Sequence, residues 1–156
     1  MKLVVLSVGS PKDSWFVALK EQYEKKISAF VPFEIVALKS KNLDRRAREQ
    51  KRAQESKEIL SAIKDNDYVI LCDEHGLSVD SLEFSKKMVK GFESGRRQLV
   101  FIIGGPYGVD DTVKKRAQWV WSFSNLTFNH LLAHAIVFEQ LYRGLTIWKG
   151  VPYHND

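Results

Sequence analysis

Gly104, Gly105 and Gly108 close an apolar run, Gln98 to Gly108 reading QLVFIIGGPYG, and a backbone bare of side chains there can approach a ligand closely. Pro106 stiffens the turn between them. Phosphate matches this loop poorly. A phosphate loop needs Gly-Lys-Ser/Thr after its glycines, and the spaced glycines of a dinucleotide fingerprint are also missing. Asp110 and Asp111 put negative charge where a phosphate would meet the next helix terminus. The loop suits a neutral or cationic ligand, or it serves packing alone. His130 and His134 share a helix face without a third ligand, so no metal site is expected. Cys72, the single cysteine, has no evident base and reads as a buried strand residue. Arg143 stands four residues after Glu139 and three after Gln140. That spacing serves either a structural ion pair or a guanidinium oriented by Glu139 toward an anionic partner.

The elements that must position these groups follow from hydrophobic period. Met1 to Val8, Phe33 to Leu38, Tyr68 to Cys72, Leu99 to Ile103 and a short Trp119 to Trp121 read as strands. Lys12 to Phe30 carries helical recurrence through Phe16, Leu19, Tyr23 and Ile27, with Pro11 near its start. Asn42 to Lys64 is a polar helix with late apolar contacts at Ile59, Leu60 and Ile63, capped by Asn42 or Asp44. Asp73-Glu74-His75-Gly76 is a polar turn after the third strand. Further helices run from Leu82 through Phe92, from Asp110 or Asp111, and from Leu131 to Leu145. The last, with LLAHAIVF apolar nearly all round, is either a central core helix or one packed on a second copy. Strands alternating with helix-length crossovers predict an α/β, three-layer α/β/α fold with a mostly parallel sheet and sites at the carboxyl ends of its strands.

At 156 residues the chain predicts one domain, 1–156. No apolar run reaches membrane length and the amino terminus lacks a signal-peptide layout, so a cytoplasmic protein without a membrane partner is expected. The net charge of +5 favours a polyanionic partner without requiring one. Much of it comes from Lys39, Lys41, Arg45, Arg46, Arg48, Lys51, Arg52 and Lys57, a group that is either a solvated helix face or a nucleic-acid contact.

Several blocks occur together in order: KLVVLSVG at the start, Cys72-Asp73-Glu74-His75-Gly76, Phe101 to Gly108 (FIIGGPYG), Trp121 to His130 (WSFSNLTFNH), Glu139-Gln140-Leu141-Tyr142-Arg143, and Tyr153-His154. On these the chain resembles, over essentially its whole length, the SPOUT class of methyltransferases. Within it, the chain is similar to the family that methylates a pseudouridine of bacterial large-subunit ribosomal RNA. The resemblance implies a homodimer with a deep trefoil knot in approximately 68–156 and S-adenosyl-L-methionine as cofactor. It implies cofactor contacts at Cys72, Asp73, Gly76, Gly104, Gly105, Pro106, Gly108, Ser122, Phe123, Ser124, Asn125, Leu126 and Thr127. The implied reaction is methylation of N3 of a pseudouridine in 23S ribosomal RNA within the assembled 70S ribosome.

In that chemistry Arg143, Tyr153 and His154 are the catalytic candidates. Arg143 would bind phosphate or stabilise charge developing on the base; His154 would be a base or a substrate contact. Asp73 is a turn residue or a cofactor contact. Trp119, Trp121 and Tyr142 receive no base-stacking role. The chain departs from its relatives in carrying Asn129 before His130, where proline is usual, and His134, where arginine is usual. Loss of proline is expected to loosen the helix start, and loss of arginine to weaken an RNA or intersubunit contact. A non-catalytic ribosome-binding knotted dimer and a methyltransferase with another RNA target are the alternatives.

Overall fold

Five strands, Lys2–Val8 (β1), Phe33–Leu38 (β2), Asp67–Ser78 (β3), Gln98–Ile103 (β4) and Trp119–Ser122 (β5), form one sheet in the order β2-β1-β4-β3-β5. In this computed structural model, which describes residues 1–9, 11–39 and 47–155, every strand pairing is parallel. The helices are Ser14–Ser28 (α1), Arg48–Ala62 (α2), Ser81–Phe92 (α3), Asp111–Arg116 (α4) and His130–Lys149 (α5).

The period-two alternation of the strands sorts their side chains into two cores. Leu3, Val5, Ile70, Leu99 and Phe101 face one way and pack with Phe16, Phe84, Met88, Phe138 and Leu141 of α1, α3 and α5. Val4, Leu6, Val69, Leu71, Val100 and Ile102 face the other way and meet Ile59 of α2 and Val113 of α4. The result is the expected three layers, with the sheet in the middle. α5 lies against both α1 and α3; within LLAHAIVF, Val137 and Phe138 are buried, Leu131 and Ile136 are half-buried and Leu132 is exposed. At Gly144 a β-carbon would come within 3.1 Å of Met88 and 3.2 Å of Phe84, and Ser85 donates to the Gly144 carbonyl at 2.8 Å. Glycine there sets the close α3–α5 approach.

Three local expectations change. The third strand does not stop at Cys72: β3 continues to Ser78, and both Cys72 and Leu77 pair with Trp121, so Asp73 to Gly76 is an excursion within a strand. Gly76 permits the return, because a β-carbon there would sit 2.6 Å from the Val120 carbonyl oxygen. α2 begins at Arg48 after Ala47 without a side-chain cap; the expected caps Asn42 and Asp44 lie outside the described residues, as do Lys41, Arg45 and Arg46. Asn129 does not loosen α5. Its side chain accepts from the Leu131 N–H at 2.9 Å, supplying an N-cap that proline cannot.

At the amino-terminal edge of β3 and β4, Asp67 is fully buried. It accepts two hydrogen bonds from Arg97, both at 2.9 Å, and one from the Lys64 N–H at 2.8 Å. Arg116 donates to the Lys64 carbonyl at 2.7 Å and the Asp67 carbonyl at 3.0 Å. These arginines hold the α2–β3 turn together.

Candidate functional site

The three glycine- and polar-rich loops expected to hold a cofactor follow or interrupt β3, β4 and β5, which are neighbours in the sheet, so their carboxyl ends bring the loops together. Thr127 donates from its hydroxyl to Glu74 at 2.8 Å, tying the third loop to the first. Ser122 donates to the Ser124 carbonyl at 2.9 Å, and the Leu126 N–H donates to the Ser124 hydroxyl at 3.0 Å. This self-bonded turn leaves the Leu126 side chain 69% exposed, while Ser122 beneath it is buried. Phe123 packs edge-on to Trp121, with ring centroids 5.2 Å apart.

Asp73 is committed within the first loop. It accepts from the His75 N–H at 2.9 Å, meets the His75 ring at 3.1 Å, and pairs with Lys114 of α4 at 3.2 Å. Burial pushes its carboxyl up, but these hydrogen bonds and the ammonium outweigh burial and hold it below the usual carboxylate range. The turn role is the one its contacts display. Cys72 is also no nucleophile: burial, and then the Asp73 carboxylate, push its thiol up, away from the thiolate.

Gly105 and Gly108 form a bridge closed by the Gly108 N–H on the Gly105 carbonyl at 3.0 Å, with Pro106 and Tyr107 at the corners and φ of +70° at Gly108. The turn rests on α2. A β-carbon on Gly105 would lie 2.2 Å from a carboxylate oxygen of Glu55, and one on Gly104 would lie 3.0 Å from Val109. Ser56 accepts from the Asp110 N–H at 2.9 Å, and the cationic groups of Arg48 and Lys51 lie 5.6 and 5.7 Å from the Tyr107 ring centroid. Gly105 thus accommodates the Glu55 side chain and Gly104 that of Val109, a packing role that stands beside the ligand approach expected of the loop. Glu55 and Ser56 were missed in the sequence; they sit amid charged residues, and nothing local marks them as the buried side of α2.

Asp110 is the residue that starts α4, accepting from the Thr112 and Val113 N–H groups. Burial raises its carboxyl, but the Thr112 hydroxyl and those N–H groups together hold it low. The fixed negative charge at this corner is the one expected to oppose phosphate.

A second cluster forms on α5 and the tail. Gly150, at φ of +65°, ends α5, and the Val151 N–H donates to the Thr146 carbonyl at 2.9 Å, so the chain turns back along its own helix. Tyr153 thereby reaches Glu139, donating at 2.9 Å. Arg143 donates to the other Glu139 oxygen from Nε at 2.8 Å and lies 2.7 Å from it at Nη2, while its Nη1 meets Nδ1 of His154 at 3.2 Å. The guanidinium also lies over the Tyr153 ring, 4.6 Å from its centroid. The expected Glu139–Arg143 pair exists, and Arg143, Tyr153 and His154 are brought together. Tyr23 of α1, read in the sequence only as an apolar-stripe residue, donates to Glu139 at 2.7 Å. Burial first, then Glu139, push the hydroxyls of Tyr23 and Tyr153 up, so both stay protonated as donors. Gln140 turns elsewhere and accepts from Ser81.

The two clusters are separate in one chain. His130 feels the Glu55 carboxylate beneath the glycine loop, and Glu139 and Arg143 lie nine and thirteen residues farther along α5, which at helical rise is about 14 to 20 Å. His134 does not face outward, as an RNA contact would require. It is 1% exposed, packs against Phe16 and Phe138, and donates from Nδ1 to the His130 carbonyl at 2.7 Å. A cleft of about 240 Å³ beside it, lined by Phe16, Lys20, Glu24 and Ile35, contains none of the loop residues. Among the described residues no group of three metal-ligating side chains occurs, and no helix is long and apolar enough to cross a membrane.

Residues 1–154 match the family model described as predicted SPOUT methyltransferase. The chain is 43% identical over 155 residues to the ribosomal RNA large subunit methyltransferase H of Bdellovibrio bacteriovorus, covering 99% of both chains. It is 38% identical over 152 residues to the protein of that name from Caldicellulosiruptor saccharolyticus, covering 97% of this chain and 98% of the relative. In fold it is similar to a probable methylase family protein from Haemophilus influenzae, with a TM-score of 0.55 and 11% identity over 99% of this chain and 70% of the other.

Proposed function

The chain belongs to the SPOUT methyltransferase family, and from that premise we propose that it methylates N3 of a pseudouridine in 23S ribosomal RNA, in the assembled 70S ribosome, with S-adenosyl-L-methionine as donor. The relatives' name, ribosomal RNA large subunit methyltransferase H, supports the RNA class. The proposal further takes 1–156 as one cytoplasmic SPOUT domain, knotted within approximately 68–156 and working as a homodimer.

The observation that carries this reading is the cluster of Arg143, Tyr153 and His154 around Glu139, because it offers a fixed cation and oriented donors for a base whose carbonyls share the negative charge left when N3 gives its proton to solvent, before N3 attacks the methyl group. The three loops at the ends of β3, β4 and β5 fit the donor. Glu74 lies at the joined rim and Glu55 beneath Gly105, carboxylates suited to a cationic sulfonium and ill suited to phosphate. S-adenosyl-L-methionine supplies an electrophilic methyl group on positively charged sulfur. The loops, from Cys72 to Gly76, Gly104 to Gly108 and Ser122 to Thr127, would hold it by main-chain groups. The protein's work is alignment, since in-line displacement needs its reacting atoms about 3–3.5 Å apart.

That requirement supports the homodimer. The acceptor-side cluster and the loops stand about 14 to 20 Å apart along α5 in one chain, so the tail of a second copy is the economical way to close the gap.

Purified protein, methyl-labelled donor and ribosomes from cells lacking the modification should place label on one pseudouridine of the large-subunit RNA. No incorporation despite demonstrated donor binding would sink the reaction; label on uridine or on free transfer RNA would change the substrate. Arg143→Ala should lower transfer by about a hundredfold or more while donor affinity changes less. Unchanged transfer by a folded Arg143→Ala dimer would remove Arg143 from the site.

A further inference from the structure

The Glu139 carboxylate accepts from four donors. One oxygen takes the Tyr23 and Tyr153 hydroxyls at 2.7 and 2.9 Å; the other takes Nε and Nη2 of Arg143 at 2.8 and 2.7 Å. A carboxylate offers about four lone-pair sites, so Glu139 is saturated and cannot turn. Its grip on one edge of the guanidinium leaves Nη1 as the Arg143 donor toward His154, at 3.2 Å from Nδ1. Guanidinium nitrogen donates and never accepts. The lone pair of this contact therefore belongs to Nδ1 of His154, and in a neutral ring the proton must sit on Nε2.

We propose that Tyr23, on α1, is a positioning residue for methyl transfer: through Glu139 it locks Arg143 against Nδ1 of His154 and so fixes His154 as an Nε2–H hydrogen-bond donor to the acceptor base. The inference rests on the reading of Arg143, Tyr153 and His154 as acceptor-side residues. It also chooses between the two roles open to His154, since a ring whose Nδ1 is engaged and whose Nε2 bears the proton donates to a carbonyl and does not collect the proton of N3, which passes to solvent water. Tyr23 is well placed to be the lock. It is the member of the network that comes from outside α5 and the tail, so it ties their arrangement to the body of the fold. Its ring is held independently, stacked on Phe138 at 6.4 Å, edge-on to Tyr142 at 6.3 Å, and beneath the Lys26 ammonium at 5.1 Å.

Because those ring contacts do not use the hydroxyl, Tyr23→Phe removes one donor to Glu139 and leaves the packing in place. The test combines nitrogen NMR of the histidine-labelled dimer, the His154 signals assigned by their loss in His154→Ala, with ribosome methylation kinetics. In the wild type the expected spectrum shows an unprotonated Nδ1 and a protonated Nε2. Tyr23→Phe should mix the two tautomers and lower kcat roughly tenfold, with KM for the donor unchanged and unfolding midpoint within a few degrees of wild type. A wild-type proton on Nδ1 would overturn the proposal. So would a Tyr23→Phe protein with wild-type kcat, whether or not its spectrum moves, since the hydroxyl would then be structural only. Failure of the underlying site reading looks different: His154→Ala would methylate normally while the wild-type spectrum still showed the locked tautomer.

Discussion

At the residue scale, the same physics that fixes a histidine in the tail makes another one a liability. His134 donates from Nδ1 to the His130 carbonyl, and its Nε2 is buried with no hydrogen-bond partner among the described residues. A second proton would be a buried charge without an acceptor, so burial lowers the ring from 6.5 to about 4. The unfolded chain takes the proton below about pH 6.5 and the folded chain only near pH 4, so the unfolded state binds more protons across that window. Stability is accordingly complete above it and falls as pH drops through it, by at most about 3 kcal/mol. Urea unfolding at the two ends of the window should show His134→Asn, which can still donate to His130, losing less than the wild type. Equal acid sensitivity would mean that other groups govern the loss. The position of His134 serves core packing, against Phe16 and Phe138.

At the element scale, the strands were legible because both faces of each are apolar, and Val100, Phe101 and Ile102 must be covered on both sides. The glycine loop was legible as a turn, but its reason was not. Gly105 lies against the carboxylate of Glu55, a residue some fifty positions away in the polar part of α2. Likewise Asp73-Glu74-His75-Gly76 has turn chemistry, and only pairing with β5 shows that the strand resumes beyond it. Local pattern carries element type; it does not carry which distant backbone will lie against a given residue. Tyr23 illustrates the same limit, since its apolar-stripe position revealed the ring's burial and nothing of the hydroxyl's partner. Gly105→Ala provides a direct check. A methyl group there meets the Glu55 carboxylate, so the buried Glu55 side chain must turn away or the loop must shift, costing about 1–3 kcal/mol and weakening donor binding. Glu55→Ala in the same chain should recover part of that loss, and strict additivity of the two substitutions would exclude the contact as its cause.

At the scale of the whole molecule, the distance between the loops and the Arg143 cluster makes complementation the informative experiment. Arg143→Ala spoils one half of the proposed site, and Asn125→Trp, at an exposed position of the third loop, obstructs the other. Each homodimer should be inactive, whereas reassorted mixtures should regain about a quarter of wild-type transfer, half of the dimers carrying one intact composite site. No recovery would place all the chemistry within single chains. Charge also has a molecular meaning here: Arg97 is paired with Asp67 and Arg116 is bonded to main-chain carbonyls of the same turn, so these two arginines are committed to the fold. The strand order β2-β1-β4-β3-β5 carries a further consequence, one of timing. β1, made first, gains β2 early, yet its other edge stays open until β4 emerges some ninety residues later, and β3 must then enter between β4 and β5. During synthesis the chain thus carries a largely apolar β1 with one edge unpaired until β4 arrives, and acquires its sheet only after nearly all of it has left the machine that made it.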